Sequence, residues 1–159
     1  MASFKQELDD LDLRLLDLLQ ADASRSNQEL AEAASVSPAT SLRRVRRLVE
    51  DGVIERRVAL LSASLGLTAI VEVTLDRQGA EHVQAFEARA VAEEAVQQCY
   101  RVSPGPDLVL VAWVADMPAY HALVQRLFTQ DANVRNVKSF FSVRRAKFET
   151  KLPLPAPRG

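Results

Sequence analysis

Residues 26–52 read SNQELAEAASVSPATSLRRVRRLVEDG, and this stretch predicts the structure of the first third of the chain. Ser26 with Glu29 three residues later forms a capping-box pattern, which predicts the start of a short helix. A Ser directly before Pro38 predicts a second helix start, because Ser caps free amides and Pro suits the first turn. Gly52 suits the left-handed position just past a helix end. These signals predict two helices joined by a turn of about three residues, the helix-turn-helix arrangement.

The second helix of this pair has the features of a DNA-recognition helix. Its predicted buried positions are the apolar ones, Leu42, Val45, Leu48 and Val49. The remaining arc then carries a cluster of arginines with no acidic residue among them. Small residues in the first turn can approach base edges closely, and arginine binds phosphate or guanine. We therefore predict DNA contacts from Ser37, Ala39, Thr40, Ser41, Arg43, Arg44 and Arg47.

The segments on either side of this pair complete a DNA-binding domain. Leucine spacing from Leu8 to Leu19, with acidic residues near the start, predicts an amphipathic first helix. After Gly52 the sequence is short and β-branched, and Val53–Leu61 is predicted to form a strand or the wing of a hairpin. We therefore assign residues 1–61 to a DNA-binding domain and residues 62–67 to a linker.

The second half of the chain alternates strand and helix. Strands are predicted over 68–75, 96–103, 107–115 and 134–143, the last extending into 144–149, and helices over 80–95 and 116–128. This order is the ferredoxin-like split βαβ unit. The predicted fold class is therefore α+β, with an N-terminal winged helix-turn-helix joined to a C-terminal ferredoxin-like βαββαβ domain. That second domain spans 68–151, and a Pro-rich tail follows at 152–159.

Composition excludes several classes of protein. With 48% hydrophobic and 26% charged residues in 159, the chain is neither disordered nor collagen-like. Its longest apolar runs are about eight residues, well short of the roughly 20 that a membrane helix needs. No apolar leader precedes the first helix. Cys99 is the single cysteine, so no internal disulfide forms, and its spacing from the two histidines suggests no metal site. We expect a soluble cytoplasmic protein that needs no metal and no cofactor.

The net charge of −1 conceals a local asymmetry. Residues 38–57 contain six arginines against three acidic residues, and residues 135–151 contain six basic residues against one. Such local clusters, rather than the global charge, are what a polyanion would encounter.

Taken together, these segments resemble the Lrp/AsnC family of prokaryotic transcription regulators, from about Leu8 to Lys151. The matching segments are LDDLDLRLL at 8–16, SP at 37–38, RRVRRL at 43–48, GVI at 52–54 and DMPAY at 116–120. The resemblance implies a DNA-binding domain, a linker strand, and a C-terminal domain that senses a ligand and oligomerises. It further implies dimers formed through the sheets, assembling into tetramers or octamers. The implied effector is an amino acid or related small molecule bound between subunits.

The resemblance also points to an effector site, with departures. The family loop usually reads Ser-Gly-Asp-aromatic-Asp, whereas this chain has Ser-Pro-Gly-Pro-Asp at 103–107. The first Asp and the aromatic residue are missing, and the two prolines remove two backbone donors. The family often has Gly in the helix–helix turn, where this chain has Ser35. The effector-binding residues implied by the family are Ser103, Gly105, Asp107, Phe141 and Ser142.

The function expected from these features is sequence-specific DNA binding at operator sites, controlled by a small effector. Two alternatives remain open at this point. Some proteins similar to this family are decarboxylases acting on modified tetrapyrroles, although this chain keeps an arginine-rich helix that such an enzyme does not need. A ligand-sensing module without DNA binding is the other alternative, against which the capped helix pair and its arginines argue.

Overall fold

The computed structural model describes residues 8–62 and 65–155. Residues 1–7, the predicted linker residues 63–64 and the end of the predicted tail, 156–159, lie outside the described residues. The chain divides into two compact units. The first contains the residues up to Leu60 together with those from Lys147 onward, and the second contains Leu61–Ala146. The first unit is therefore built from two separate stretches of chain, whereas the sequence analysis assigned 147–151 to the second domain.

Three helices form the N-terminal stretch of the first unit. They are α1 at Asp10–Ala21, α2 at Asn27–Ala33 and α3 at Pro38–Glu50. Capping boxes begin α1 and α2, built by Asp9 with Asp12 and by Ser26 with Glu29. Each box satisfies amide groups that have no partner inside the helix. The helix pair predicted from the capping residues is confirmed.

Two left-handed residues shape the ends of these helices. Gly52 has a φ of +73°, and its amide donates to the carbonyl of Val49 at 3.1 Å. Glycine adopts this conformation without a Cβ clash, which is why it follows the end of α3. Ser35, in the turn between α2 and α3, has a φ of +58°. Ser35 therefore adopts the left-handed conformation for which the family often uses glycine, and this conformation is strained for a residue with a Cβ.

The core of the first unit is small and built from all three helices. Its buried members are Leu15, Leu19, Leu30, Ala34 and Val45, with Leu11, Leu18, Val36 and Ile54 packed around them. The Arg14 guanidinium also donates to the carbonyl of Ala34 at 3.2 Å, so α1 holds the end of α2. This packing fixes α3 on the surface of the unit.

The strand predicted over Val53–Leu61 is wrong for the single chain. No strand forms over 53–62, all of which the structure describes, and Val58, Leu60 and Leu61 are exposed. A strand needs a neighbour that accepts and donates its backbone hydrogen bonds. Nothing in the described part of the first unit supplies such a neighbour, so β-branched composition alone does not produce a wing.

The second unit has the ferredoxin-like order that the sequence predicts. Its elements are β1 at Leu67–Leu75, α4 at Ala80–Ala92, β2 at Val96–Arg101, β3 at Leu108–Val114, α5 at Met117–Val124 and β4 at Val134–Phe141. A π-helical segment, Gln125–Thr129, continues α5. The strands lie in the order β2-β3-β1-β4 and all neighbouring pairs are antiparallel. The predicted α+β fold class is thus confirmed.

Both helices of the second unit pack on one face of its sheet. The inward side chains of β1, Ala69, Val71 and Val73, are fully buried against α4 and α5, whose main contributions are Phe86 and Leu123. Because strand side chains alternate, the residues between them point to the other face. There Ile70 pairs with Val111 of β3 and Phe140 of β4. Ile70 and Phe140 remain 42% and 52% exposed, so the part of this second face around them is apolar and exposed to solvent.

The last strand is shorter than predicted. β4 ends at Phe141, and the predicted extension into 144–149 is wrong, because β1, its partner strand, has no residues left to pair with it. From Lys147 the chain belongs to the first unit. Leu152 and Gln20 of α1 exchange two hydrogen bonds, of 2.7 and 3.2 Å, and Lys151 forms an ion pair with Asp17 at 2.6 Å. The described part of the Pro-rich segment is therefore attached to α1.

Candidate DNA-binding surface and effector site

The start of α3 is held by hydroxyl groups. The Ser37 hydroxyl accepts a hydrogen bond from the Thr40 amide at 3.2 Å and lies 2.9 Å from the Thr40 hydroxyl. The Asn27 side chain of α2 donates to the carbonyl of Pro38 at 2.8 Å. Ser37 is exposed and Thr40 half-buried, so both predicted contacts lie at the surface while they hold the first turn in shape.

The buried side of α3 differs from the prediction. Val45 and Leu48 are buried as expected, but Leu42 and Val49 are 49% and 48% exposed. Ser41 takes the third buried position, one turn before Val45, and is fully buried. This corrects the predicted base contact at Ser41, because its hydroxyl cannot reach a base edge from the interior.

The outward side of α3 presents a stripe of three residues. Ala39, Arg43 and Arg46 are all exposed, and their spacing of four and three places them along one face of the helix. Among the described residues, neither Arg43 nor Arg46 takes part in an ion pair. Arg46 is absent from the predicted contacts, although its spacing of three residues from Arg43 could have placed it there.

The other two arginines of α3 contact α1. The Arg44 guanidinium lies 2.6 Å from the Asp9 carboxylate and 3.2 Å from that of Asp12. Arg47 forms a second ion pair with Asp12, whose side chain is fully buried. Arg44 and Arg47 are only 22% and 29% exposed. This network has no signal in local sequence patterns, since the paired groups lie 32 to 35 residues apart.

The contact between Asp9 and Arg44 shifts the pKa values of both groups. Burial opposes the charge on Asp9, but hydrogen bonds from the Asp12 amide and the Arg44 guanidinium outweigh it, and the pKa of Asp9 lies below its ordinary value. The hydrogen bond to Asp9 in turn raises the pKa of Arg44. Both groups therefore stay charged at neutral pH.

A shallow, positively lined pocket opens beside this network. It has a volume of about 200 Å³ and is lined by Arg43, Arg44 and Arg47. Two of these three guanidinium groups, Arg44 and Arg47, are paired with carboxylates of α1, so Arg43 supplies the charge that this pocket offers to an anion such as a DNA phosphate.

The loop at 103–107 is held by its last residue. The Asp107 amide donates to the carbonyl of Val73 at 2.9 Å, and its carboxylate accepts from the Leu75 amide at 2.7 Å. Ser103 and Gly105 are exposed, and Gly105 has a φ of +129°. Asp107 therefore fixes the loop to the end of β1, while the predicted site residues before it remain accessible.

The other predicted effector residues lie elsewhere on the sheet. The Phe141 ring packs edge-on against Tyr120, with centroids 4.8 Å apart, and the Ser142 amide donates to the carbonyl of Thr68 at 2.9 Å. Thr68 and Val73 are five residues apart on β1, which is about 17 Å along a strand. The two halves of the predicted site are therefore not brought together within one chain.

Comparison with known proteins agrees with this geometry. Residues 8–55 match a family model described as winged helix-turn-helix DNA-binding, and residues 68–152 match the Lrp/AsnC ligand binding domain. The chain belongs to the Lrp/AsnC family of transcription regulators. It is accordingly a DNA-binding transcription regulator that senses a small molecule, and the suspected family membership is confirmed.

Individual members of the Lrp/AsnC family are similar over nearly the whole chain. An HTH-type transcriptional regulator of Haemophilus influenzae is 36% identical, with 94% of this chain and 90% of the relative covered. The leucine-responsive regulatory protein of Salmonella typhimurium is 32% identical, with 92% of each chain covered. The crystal structure of a Neisseria meningitidis transcriptional regulator in complex with L-methionine is 30% identical, with a TM-score of 0.83 and coverage of 92% and 97%.

Two further properties of this Lrp/AsnC chain concern metals and membranes. Within residues 8–62 and 65–155, no group of three His, Cys, Asp or Glu side chains is placed to hold a metal ion. In the same part of the chain, no helix has both the length and the apolar character to cross a bilayer.

Proposed function

We propose that this chain is a cytoplasmic regulator that binds operator DNA through α3 and responds to an amino acid or a related small molecule. The supporting observation is the exposed stripe of Ala39, Arg43 and Arg46 on a helix whose start is fixed by hydroxyl caps. Ser37, Thr40, Arg44 and Arg47 are the remaining candidates from the sequence. A small residue at the start of such a helix lets the backbone approach a base edge, while arginine holds phosphate or guanine.

The protein acts as a homodimer that assembles further into tetramers or octamers. The apolar sheet face around Ile70, Val111 and Phe140 supports this state, because a monomer would leave it in water. A dimer places two copies of α3 about 34 Å apart, which is one turn of DNA. We keep the division of the sequence into residues 1–61, the linker at 62–67, the domain at 68–151 and the tail at 152–159 as part of this proposal, with residues 147–151 lying in the first compact unit.

The effector binds between subunits. The distance along β1 between the Asp107 and Ser142 contacts supports a site completed by a second copy. In such a site, Ser103, Gly105 and Asp107 of one copy meet Phe141 and Ser142 of another. The effector acts by favouring one oligomer or one spacing of the two recognition helices.

An amino-acid effector has support from two relatives. The Salmonella relative is named leucine-responsive, and the Neisseria structure holds L-methionine. Neither the tetrapyrrole decarboxylase nor the sensor without DNA binding is favoured, since relatives are named as an HTH-type transcriptional regulator and a DNA-binding transcriptional activator. We therefore propose that the chain is not an enzyme.

An electrophoretic mobility shift assay on the DNA upstream of the gene tests this proposal. The full chain is titrated at several salt concentrations, alone and with each of the twenty amino acids. We expect a shift that weakens with salt and that one or a few amino acids alter. The matched control is Arg77→Ala, a surface arginine of the second unit, which should shift the same DNA as the wild type. The absence of any salt-sensitive shift at every protein concentration contradicts DNA regulation.

A further inference from the structure

We propose that the four arginines of α3 divide into two pairs with different tasks. Arg43 and Arg46 bind the DNA backbone, whereas Arg44 and Arg47 are positioning residues that hold α3 against α1. This inference rests on the proposed DNA binding through α3, and it identifies which charges are available to DNA. The spacing already separates the pairs, because residues three apart lie on the same side of a helix.

Burial of Asp12 is the first support for this division. Its carboxylate is fully buried and is contacted by both Arg44 and Arg47. Removing either guanidinium takes away part of the compensation of this buried charge in a medium of low dielectric constant, which is unfavourable. A DNA phosphate would therefore compete poorly for these two side chains, and Asp12 keeps them where they are.

The second support is the state of the other pair. Arg43 and Arg46 are exposed and form no ion pair with any residue of the described chain. Binding a phosphate costs them no existing partner. They lie on the same exposed stripe as Ala39, whose small side chain lets the backbone approach a base edge, so one face of α3 offers both phosphate and base contacts. The acidic residue nearest along this face is Glu50, one turn after Arg46, and it too is exposed.

The contacts with Asp9 extend the positioning network to the start of α1. Asp9 caps α1 through the amide of Asp12, and the same carboxylate accepts from Arg44 at 2.6 Å. The start of α1 and the middle of α3 are thus joined through one side chain. Moving Arg44 toward DNA would weaken a helix cap as well as an ion pair.

The salt dependence of DNA binding separates the two roles. Each phosphate contact contributes about 0.9 to the slope of log affinity against log salt, whatever the sequence. A random 40-base-pair duplex therefore suffices as the probe. Arg43→Gln and Arg46→Gln should each reduce the slope by about 0.9 per bound protomer. On a fourfold rise in salt, each variant then loses about 3.5-fold less affinity per protomer than the wild type does. Their thermal unfolding midpoints should match that of the wild type.

Arg44→Gln and Arg47→Gln should show the opposite pattern, with lowered unfolding midpoints and the wild-type slope at temperatures where they are folded. Because Arg47→Gln removes one of the two guanidinium groups that contact the buried Asp12 carboxylate, the double variant Asp12→Asn/Arg47→Gln is included. It removes both charges and keeps hydrogen-bonding groups in place. The double variant should regain part of the lost stability and retain the wild-type slope, a rescue that a lost phosphate contact would not show.

Three outcomes overturn the division. A reduced slope in Arg47→Gln and in the double variant makes Arg47 a phosphate contact. A reduced salt slope in Arg44→Gln, with an unchanged unfolding midpoint, shows that Arg44 contacts a DNA phosphate. An unchanged slope in Arg46→Gln removes Arg46 from the DNA surface. If the wild type itself binds no DNA, the proposed function fails together with the division, which distinguishes that result from the other three.

Discussion

Asp12 and Arg47 form an ion pair across 35 residues, and the carboxylate half of this pair has no exposure to solvent. The pair joins α1 to α3, while Arg44 shares the same carboxylate at 3.2 Å. A buried carboxylate of this kind is stable only while its cationic partners remain. The orientation of the recognition helix therefore depends on a residue that never meets DNA.

Replacing Asp12 with alanine should destabilise the first unit severely. Arg44 and Arg47 both lose their contact with the buried carboxylate, and breaking a buried ion pair typically costs about 3–5 kcal/mol. Equilibrium unfolding in urea, followed by circular dichroism, measures this loss. The matched control is Asp17→Ala, which removes an exposed carboxylate of the same helix from its ion pair with Lys151 and should cost no more than about 1 kcal/mol. Equal losses in both variants would contradict the importance of the buried pair.

Replacing Ser35 with glycine should stabilise the protein. Ser35 has a φ of +58°, a conformation that costs an L-residue about 1–2 kcal/mol, and the extra freedom of glycine in the unfolded chain offsets part of this gain. We expect a net increase of about 0.5–1 kcal/mol in the free energy of unfolding. Ser37→Ala, two residues later, should instead lose about 1 kcal/mol, because Ser37 caps α3. A decrease in Ser35→Gly would show that its side chain contributes to the turn.

Replacing Gly66 with alanine should destabilise the second unit. A Cβ at this position would lie 2.5 Å from the carbonyl oxygen of Val114 and 2.7 Å from the Trp113 ring. Backbone atoms of a strand cannot move aside as the end of a flexible side chain can. We therefore expect the free energy of unfolding to fall by about 1–3 kcal/mol. At Gly79 the nearest group is the flexible end of Glu81, at 3.0 Å, and Gly79→Ala should be tolerated. Thermal unfolding of both variants tests the difference, and equal midpoints would contradict it.

The first unit should lose stability as the pH falls, because three of its carboxylates have lowered pKa values in the folded state. Hydrogen bonds from Ser24 lower the pKa of Asp22, and those from Ser26 lower the pKa of Glu29. The pKa of Asp9 is lowered as well, because its hydrogen bonds outweigh the effect of burial. A lowered pKa in the folded state contributes stability above the ordinary values of 3.8 for Asp and 4.5 for Glu. This contribution is lost as the pH falls through the folded-state pKa.

Unfolding curves recorded from pH 7 to pH 2 test this dependence. Asp9→Asn and Glu29→Gln remove one titrating carboxyl each while keeping a hydrogen-bonding side chain. Each variant should therefore lose less stability over this range than the wild type does. The matched control is Gln28→Asn, which changes an exposed side chain of α2 that does not titrate and should therefore follow the wild-type curve. If stability falls with pH as steeply in Asp9→Asn and Glu29→Gln as in the wild type, the lowered pKa values of these two carboxyl groups do not stabilise the fold.

Local patterns predicted most of the fold correctly. Capping residues and Pro38 marked the starts of α2 and α3, because these signals depend only on neighbouring residues. The strict alternation along β1 and the uninterrupted apolar run of β3 predicted the central strands of the sheet. The order of elements was then sufficient for the ferredoxin-like topology.

Features that depend on distant residues escaped the sequence analysis. The arc of α3 was misjudged at Leu42 and Val49, since Asp9 and Asp12 draw the Arg44 side of the helix toward α1 and leave the opposite side exposed. The absent strand after Gly52 has a similar cause, because strand formation requires a second chain segment. For the effector site, the sequence indicated the residues of the 103–107 loop together with Phe141 and Ser142. It could not show that these two groups lie at separate points along β1 within one chain.

Synthesis on the ribosome gives the order in which the first unit can be completed. All residues of its three helices have been synthesised by residue 50. The hydrogen bond between Gln20 and Leu152 and the ion pair between Asp17 and Lys151 can form only after residues 151 and 152 have been added. About 100 residues, including the whole sensing sheet, are made in between, which takes roughly 5–20 s at ordinary rates of translation. The last contacts of the DNA-binding unit are thus formed only by a chain that already carries its sensor. A truncated product of translation cannot make them.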